Sequence, residues 1–271
     1  MHLHQIPYVQ KVLEQFKMTG TQSVRTPLPA GYQPTKAPED YEAHSELKAK
    51  YQSVIGSLMF VMLGTRPDLA FATIKMSQFM ANPTEEHLSK AYHILRYLAS
   101  TSTLCLHYSR GDESSLFSFA DSDWAGDRDS RRSTSGFAFF LGSNCISWRS
   151  RRQPTVALSS TEAEYMSLCD AATQIKWIQS LFRECHIPIE RTILFGDNKG
   201  ALFLAGNPAQ EGRSKHIDIK YYFLRECVDE RIFLIDYIST KEQRADMMTK
   251  NLTWQLFSQN RQSLGMVILP K

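Results

Sequence analysis

Hydrophobic positions recur along this 271-residue chain with two periods, and the change falls near residue 110. Before it the spacing is helical. YVQKVLEQF (8–16) places Val9, Val12, Leu13 and Phe16 on one face. TPLPAGYQPTKAPED (26–40) is polar and rich in proline, and reads as a linker or extended arm. Three more helical patterns follow: YQSVIGSLMFVML, RPDLAFATIKMSQFM with Pro67 suited to a first turn, and TEEHLSKAYHILRYLAS with acids in its first turn.

After residue 110 the period shortens to that of strands. LFSFAD (116–121), SGFAFFLG (135–142) and NCISWRS (144–150) predict three strands, with Gly142-Ser143 as a tight turn. A long helix is expected over about 160–184, then a strand at TILFGD and a short helix at NKGALFLAG. A helix at SKHIDIKYYFLRECVDE, a strand at RIFLIDYIS and a last helix at RADMMTK complete the order β-β-β-α-β-α-α-β-α. A meander followed by strand–helix alternation implies an α/β fold: a mixed five-stranded sheet flanked by helices, after a mainly helical region. The expected division is 1–110, 111–252 and a tail at 253–271.

Composition narrows the function classes. A hydrophobic content of 42% supports a sizeable core, and a net charge of +3 permits a polyanionic partner without demanding one. The most apolar run, VIGSLMFVMLG, is too short to span a bilayer, and the opening residues lack the apolar core of a secretory signal. No membrane association is expected. Cys105, Cys145, Cys169, Cys185 and Cys227 are scattered with no CxxC pair, and read as buried free thiols in a reducing compartment. An intracellular location, in a cytoplasmic particle or the nucleus, is expected.

Four acids stand where an element ends or begins: Asp121, Glu164, Asp197 and Asp246. Asp121 closes a strand face shared with Phe117 and Phe119, where its charge needs a partner. Asp123 shares that face, but the turn out of the strand accounts for it. Glu164 lies four residues before Leu168 on a stripe that continues through Ala171, Ile175, Ile178 and Phe182. Glu162 lies off the stripe and suits a capping box with Ser159. A charge on a core-facing stripe is rarely buried unless paired or bound to metal. Asp197 is equally well read as a helix N-cap, and Asp246 as a solvated helical acid. Together the four suggest divalent cations, which take oxygen ligands and, in pairs, serve phosphoryl displacement.

These motifs resemble the ribonuclease H domain of Ty1/copia-type retrotransposon Pol polyproteins. The resemblance lies in FADSDWAGDRDSRRSTSG, SWRSRRQPTVALSSTEAEY, FGDNKGA, RSKHIDIKYYFLRE and RADMMTK. Upstream, YVQKVLEQFKM, YQSVIGSLMFVMLGTRPDLAFA and NPTEEHLSKAYHILRYLAST resemble the end of the reverse transcriptase and its connection in the same polyproteins. The resemblance implies cleavage of the RNA strand of RNA–DNA hybrids, with Asp121, Glu164, Asp197 and Asp246 as catalytic acids. It implies two Mg2+ ions, replaceable by Mn2+, with Asp121 and Glu164 on one and Asp121, Asp197 and Asp246 on the other. The family's polymerase motif Tyr-x-Asp-Asp is absent, so polymerase activity is not expected and the reading frame looks like a fragment.

Candidate substrate contacts follow. Arg128, Arg131, Arg132, Arg149, Arg151 and Arg152 suit phosphates. Ser133, Thr134, Gln153 and Asn198 are candidate readers of the 2′-hydroxyls in the minor groove. His216 is a candidate for proton transfer. Trp124 and Trp148 are expected in the core. Expected partners are the hybrid and the remaining reverse-transcriptase or Pol subunits. The reading set against this is a non-catalytic nucleic-acid-binding or scaffold remnant; integrase-like chemistry, which typically uses three acids, fits less well.

Overall fold

A computed structural model describes residues 1–111, 114–207 and 215–270, with side chains at 215–218 outside the description. In chain order the elements are β1 (His2–Leu3), α1 (Ile6–Gln15), α2 (Ser45–Gly64), α3 (Ala70–Ser77), α4 (Glu85–Ser100), β2 (Leu104–His107), β3 (Leu116–Asp123), β4 (Thr134–Leu141) and β5 (Asn144–Arg152). There follow α5 (Ser160–Glu184), β6 (Thr192–Gly196), α6 (Lys199–Gly206), α7 (Lys215–Asp229), β7 (Leu234–Tyr237), α8 (Trp254–Ser263) and β8 (Met266–Ile268). Short 3-10 turns occupy Pro67–Leu69, Thr240–Glu242 and Asp246–Met248.

The chain forms two compact units. One comprises Met1–Tyr108, Asp127–Ser130 and Lys250–Lys271; the other comprises Ser109–Gly126 and Arg131–Thr249. The segment expected as a tail is therefore part of the first unit. Its strand β8 pairs antiparallel with β2, which also pairs with β1, giving the order β1-β2-β8.

In the first unit, α2, α3 and α4 bury their apolar faces against one another around Tyr51, Val54, Leu58, Met76, Ile94 and Leu98. Helix α4 opens on Thr84, whose hydroxyl accepts the His87 amide (3.3 Å) while His87 Nδ1 accepts the Thr84 amide (3.0 Å). His87 Nε2 then donates to the Thr35 carbonyl (2.9 Å), so the ring is held as one neutral tautomer. That contact, and His93 Nε2 to the Thr26 carbonyl (3.1 Å), fasten the proline-rich arm to α4 rather than leaving it a free linker. A buried guanidinium fork joins Arg66 to Asp68 (2.8 and 2.7 Å), and Tyr97 donates to the same carboxylate (2.7 Å). The bare motif RPDLAF gave no sign of this network.

In the second unit the sheet order is β5-β4-β3-β6-β7, antiparallel from β5 to β3 and parallel from β3 to β7. This is the mixed five-stranded sheet, flanked by helices, that the sequence implied. Helix α5 covers one face and buries Tyr165, Leu168, Ala172, Ile175 and Ile178 against Leu116, Ala120, Phe137 and Phe139. The anticipated stripe is buried as far as Ile178, but from Ala163 to Cys169 every residue of α5 is buried, Glu164 among them with 8% exposure. Cys105, Cys145, Cys169 and Cys227 are buried free thiols, but Cys185, just past the end of α5, is exposed. Burial pushes the Cys145 thiol up to about 12, so it is inert near neutrality. No helix among the described residues is long and apolar enough to cross a membrane.

Candidate active site

Strands β3 and β6 lie side by side in parallel, with Phe119 opposite Phe195. Two residues beyond each phenylalanine stands an aspartate: Asp121 in FAD and Asp197 in FGD. The two-residue period of a strand sends both carboxylates to the face of the paired rings, at the same end of the sheet. Glu164 joins them from near the start of α5, where its Oε1 accepts the Ser122 amide (3.3 Å). Ligand oxygens of Asp121, Glu164 and Asp197 all lie within 4.8 Å of one another. Asp121 is 2% exposed and Asp197 is half-buried. Three carboxylates so close repel unless they take up protons or share a cation.

Each acid is held by specific neighbours. The Thr249 hydroxyl donates to Asp121 Oδ2 and also lies 3.0 Å from the Asp246 carbonyl oxygen. Ser167 Oγ donates to the Asp121 carbonyl (2.7 Å), tying α5 to the strand. Thr240 Oγ1 donates to Asp197 Oδ2 (2.8 Å). The N-cap of α6 is Asn198, whose side chain accepts the Ala201 amide (3.0 Å), so capping does not explain Asp197. Similarly Ser159 caps α5 by accepting the Glu162 amide (3.1 Å), and Glu162 reaches back to the Leu158 amide (3.0 Å).

Asp246 lies outside the group of three. It begins a three-residue 3-10 turn, not the expected helix, and is 9% exposed rather than solvated. The turn packs against β3, β4 and β5. Gly136, opposite Asp121 on β4, permits this approach, since a Cβ there would meet Met248 Cβ at 2.5 Å and Thr249 Cγ2 at 2.8 Å. The other acid on the β3 face, Asp123, is folded against Gly126, where an added Cβ would collide with its carboxylate.

No family model matches the chain. It is 37% identical over 276 residues to a retrovirus-related Pol polyprotein from transposon RE1 of Arabidopsis thaliana, covering 100% of this chain and 18% of the relative. It is 36% identical over 267 residues to the corresponding polyprotein from transposon TNT 1-94 of Nicotiana tabacum, covering 97% of this chain and 20% of the relative. Over its whole length the chain is thus similar to Pol polyproteins of retrovirus-related transposons. It spans about a fifth of the length of these curated relatives. Among solved structures it is similar to LC11-RNase H1, isolated from compost by a metagenomic approach, at 13% identity, a TM-score of 0.38, 50% of this chain and 93% of that one.

The candidate substrate residues separate by register. Arg152 pairs with Thr134, which pairs with Asp123, so Arg152 shares the Asp121 face. Arg151, opposite Ser135, points to the other face, the one covered by α5. Arg149 also points there, with its guanidinium 5.8 Å from the Phe137 ring centre. Arg131 is exposed with a positive φ of 56°, in the connection from β3 to β4, and Arg132 beside it is half-buried. The side chain of His216 lies outside the described residues.

Of the suggested readers of 2′-hydroxyls, Ser133, Thr134 and Gln153 are buried and Asn198 is half-buried. Ser133 is fully buried and accepts the Ala125 amide (3.1 Å), and Thr134 is buried as well. Gln153 is 2% exposed; its Nε2 lies 2.8 Å from Ser135 Oγ and 2.9 Å from the Ala163 carbonyl, joining β4 to the residue before Glu164. Asn198 spends its side-chain oxygen on the α6 cap. Trp124, expected in the core, is 49% exposed and donates to the Ala157 carbonyl (3.1 Å); Trp148 is half-buried. Gly136, Thr240 and Thr249 are supporting residues that the sequence did not single out, and Gln153 was singled out only as a substrate contact. The repeated Phe-x-Asp at the ends of β3 and β6 was the available signal for the site itself.

Proposed function

We infer that the second unit is a ribonuclease that hydrolyses the RNA strand of RNA–DNA hybrids in a divalent-metal-dependent reaction. The observation that carries this reading is the convergence of Asp121, Glu164 and Asp197 from three separate elements. Their donors are all carboxylate oxygens, with no imidazole or thiolate in the group, which suits Mg2+ or Mn2+ and not a softer ion. Asp121, Glu164, Asp197 and Asp246 would hold the metal. A pair of such ions, when bound, lowers the pKa of the attacking water and neutralises charge on the phosphate.

The chain's own residues do the positioning. Thr249 and Ser167 fix the Asp121 carboxylate and backbone, and Thr240 fixes Asp197. Arg152, on the Asp121 face, and Arg131 and Arg132, in the β3–β4 connection, suit scissile-strand phosphates, which cations bind with marked salt dependence. His216 remains the candidate for assisting the leaving group. The remaining segments of the Pol polyprotein are the proposed partners.

The test is cleavage of an end-labelled hybrid in Mg2+ by the purified chain and by Asp197→Asn. The wild type should cut the RNA strand only, and the variant should lose more than about a hundredfold in rate while its melting temperature holds or rises. Undiminished cleavage by Asp197→Asn removes the site assignment. Hybrid binding without cleavage by the wild type favours the scaffold reading.

A further inference from the structure

The first unit holds a basic pocket that the acid site does not use. It has a volume of about 230 Å³ and is lined by Arg25, Ser100, Thr101, Thr103, Trp254 and Arg261 among others. Both guanidinium groups lie against one indole, Arg25 at 5.9 Å and Arg261 at 5.8 Å from the Trp254 ring centre. The chain stretches that form the pocket, 19–28, 98–107 and 250–270, contain no aspartate or glutamate. Neither arginine has a carboxylate partner among the described residues. Two cations gathered on one ring with no anion beside them repel one another, and a bound anion would relieve that repulsion.

Arg261 is also preorganised. Its NH1 donates to Tyr97 Oη (3.1 Å), and Tyr97 is fixed by its hydrogen bond to Asp68, itself held in the buried fork with Arg66. One of five guanidinium donors is spent in this way, and the indole face steadies the group. An arginine held in place by a buried network and left without an anion is how a site for a planar or tetrahedral oxyanion is built. Ser100 and Thr101 spend their hydroxyls on backbone carbonyls, so the charged donors lining the pocket are the two guanidinium groups, beside the Ser23 and Thr103 hydroxyls. That favours a phosphate over a neutral polar ligand.

We propose that Arg25, Arg261 and Trp254 form a phosphate-binding pocket for the backbone of a nucleic-acid strand, separate from the acid site of the second unit. The proposal rests on the reading of this chain as a protein of RNA–DNA hybrids and adds a named contact to it. The test is fluorescence anisotropy of a labelled hybrid titrated with the full chain in EDTA, where cleavage is off, across a salt series. Arg25→Glu is the main variant because Arg25 is exposed and packs no core. It should weaken binding by about tenfold or more and lower the slope of log K against log salt by about one, whereas Arg25→Lys should retain the slope.

Unchanged affinity and slope in Arg25→Glu overturn the proposal. So does a response confined to inorganic phosphate or a mononucleotide, read from indole fluorescence that Trp254→Phe abolishes, with hybrid affinity unmoved; that result means a small-anion pocket. A chain that fails to cut in Mg2+ but shows the Arg25 dependence removes the nuclease reading alone. Normal cutting with no Arg25 dependence removes the pocket alone.

Discussion

Gly136 supports the site by having no side chain, which lets the Asp246–Met248 turn and Thr249 approach β4. A methyl group there would meet Met248 Cβ at 2.5 Å and the Met248 backbone carbon at 3.1 Å, neither of which can swing aside like the end of a flexible side chain. Gly136→Ala should therefore lift the Asp246–Met248 turn from β4, lower stability by about 1–3 kcal/mol and cut hybrid cleavage more severely than the loss of stability explains. Thermal melting and single-turnover cleavage read the two effects separately. Gln153 acts from the opposite side of the site. Gln153→Ala leaves the buried Ala163 carbonyl without this donor and should cost about 1–3 kcal/mol, with slower cleavage through a displaced Glu164. Of the acids, Glu164 alone was unusual on physical grounds in the bare sequence, since it breaks an apolar stripe. Asp197 looked like a cap until Asn198 proved to fill that role. Thr249 was illegible, because its partner Asp121 lies 128 positions away.

Elements with strong periodicity were read from the sequence nearly to their ends. The stripe of α5 was legible from its helical period, and the meander of β3, β4 and β5 because short runs rich in aromatic and small residues are bounded by turn residues, even though β3 and β4 are buried on both faces. Strands β1, β2 and β8 were not legible: they are two to four residues long and pair across most of the chain, so no local pattern marks them. RADMMTK failed in another way, its apolar pair signalling burial but not a helix. Helix α4 yields a prediction of its own. Burial holds the His87 ring below its ordinary pKa, against the opposing pull of the Thr35 carbonyl and the Glu86 and Asp129 charges. Its Nδ1 is an acceptor in the cap, and protonation there removes the acceptor. A group whose folded pKa is depressed stabilises the fold above its unfolded value, near 6.5, and loses that contribution as pH falls through the folded value. The melting temperature of the first unit should fall on acidification from neutral toward pH 5, and His87→Asn should flatten that dependence. Equal slopes in the two proteins would mean that His87 is not the titrating group.

At the scale of the whole molecule, the chain's last residues close the first unit, although their sequence suggested a loose tail. Phe257, Leu264 and Met266 are buried there, β8 completes the sheet order β1-β2-β8, and Arg261 reaches Tyr97 of the buried Arg66–Asp68 network. The sequence hid this because α8 is short and has a single buried residue, Phe257. Such a helix is held by tertiary contacts, not by its own periodicity. Each of the three buried side chains stabilises the fold by roughly 1.5–3 kcal/mol, so losing all of them removes a large part of what a marginally stable unit has to spare. A chain ending at Leu252 should lose cooperative melting of the first unit. Hydrogen exchange should then rise in α4 and β2, the elements that Tyr97 and the β2–β8 ladder connect to the missing segment. Among the described residues, none of 250–270 belongs to the core cluster of the second unit, which should keep its exchange protection. Retained protection throughout α4 and β2 in the shortened chain would return 253–271 to the status of a tail. Loss of protection throughout β3, β4 and β6 as well would mean that the two units fold as one cooperative body.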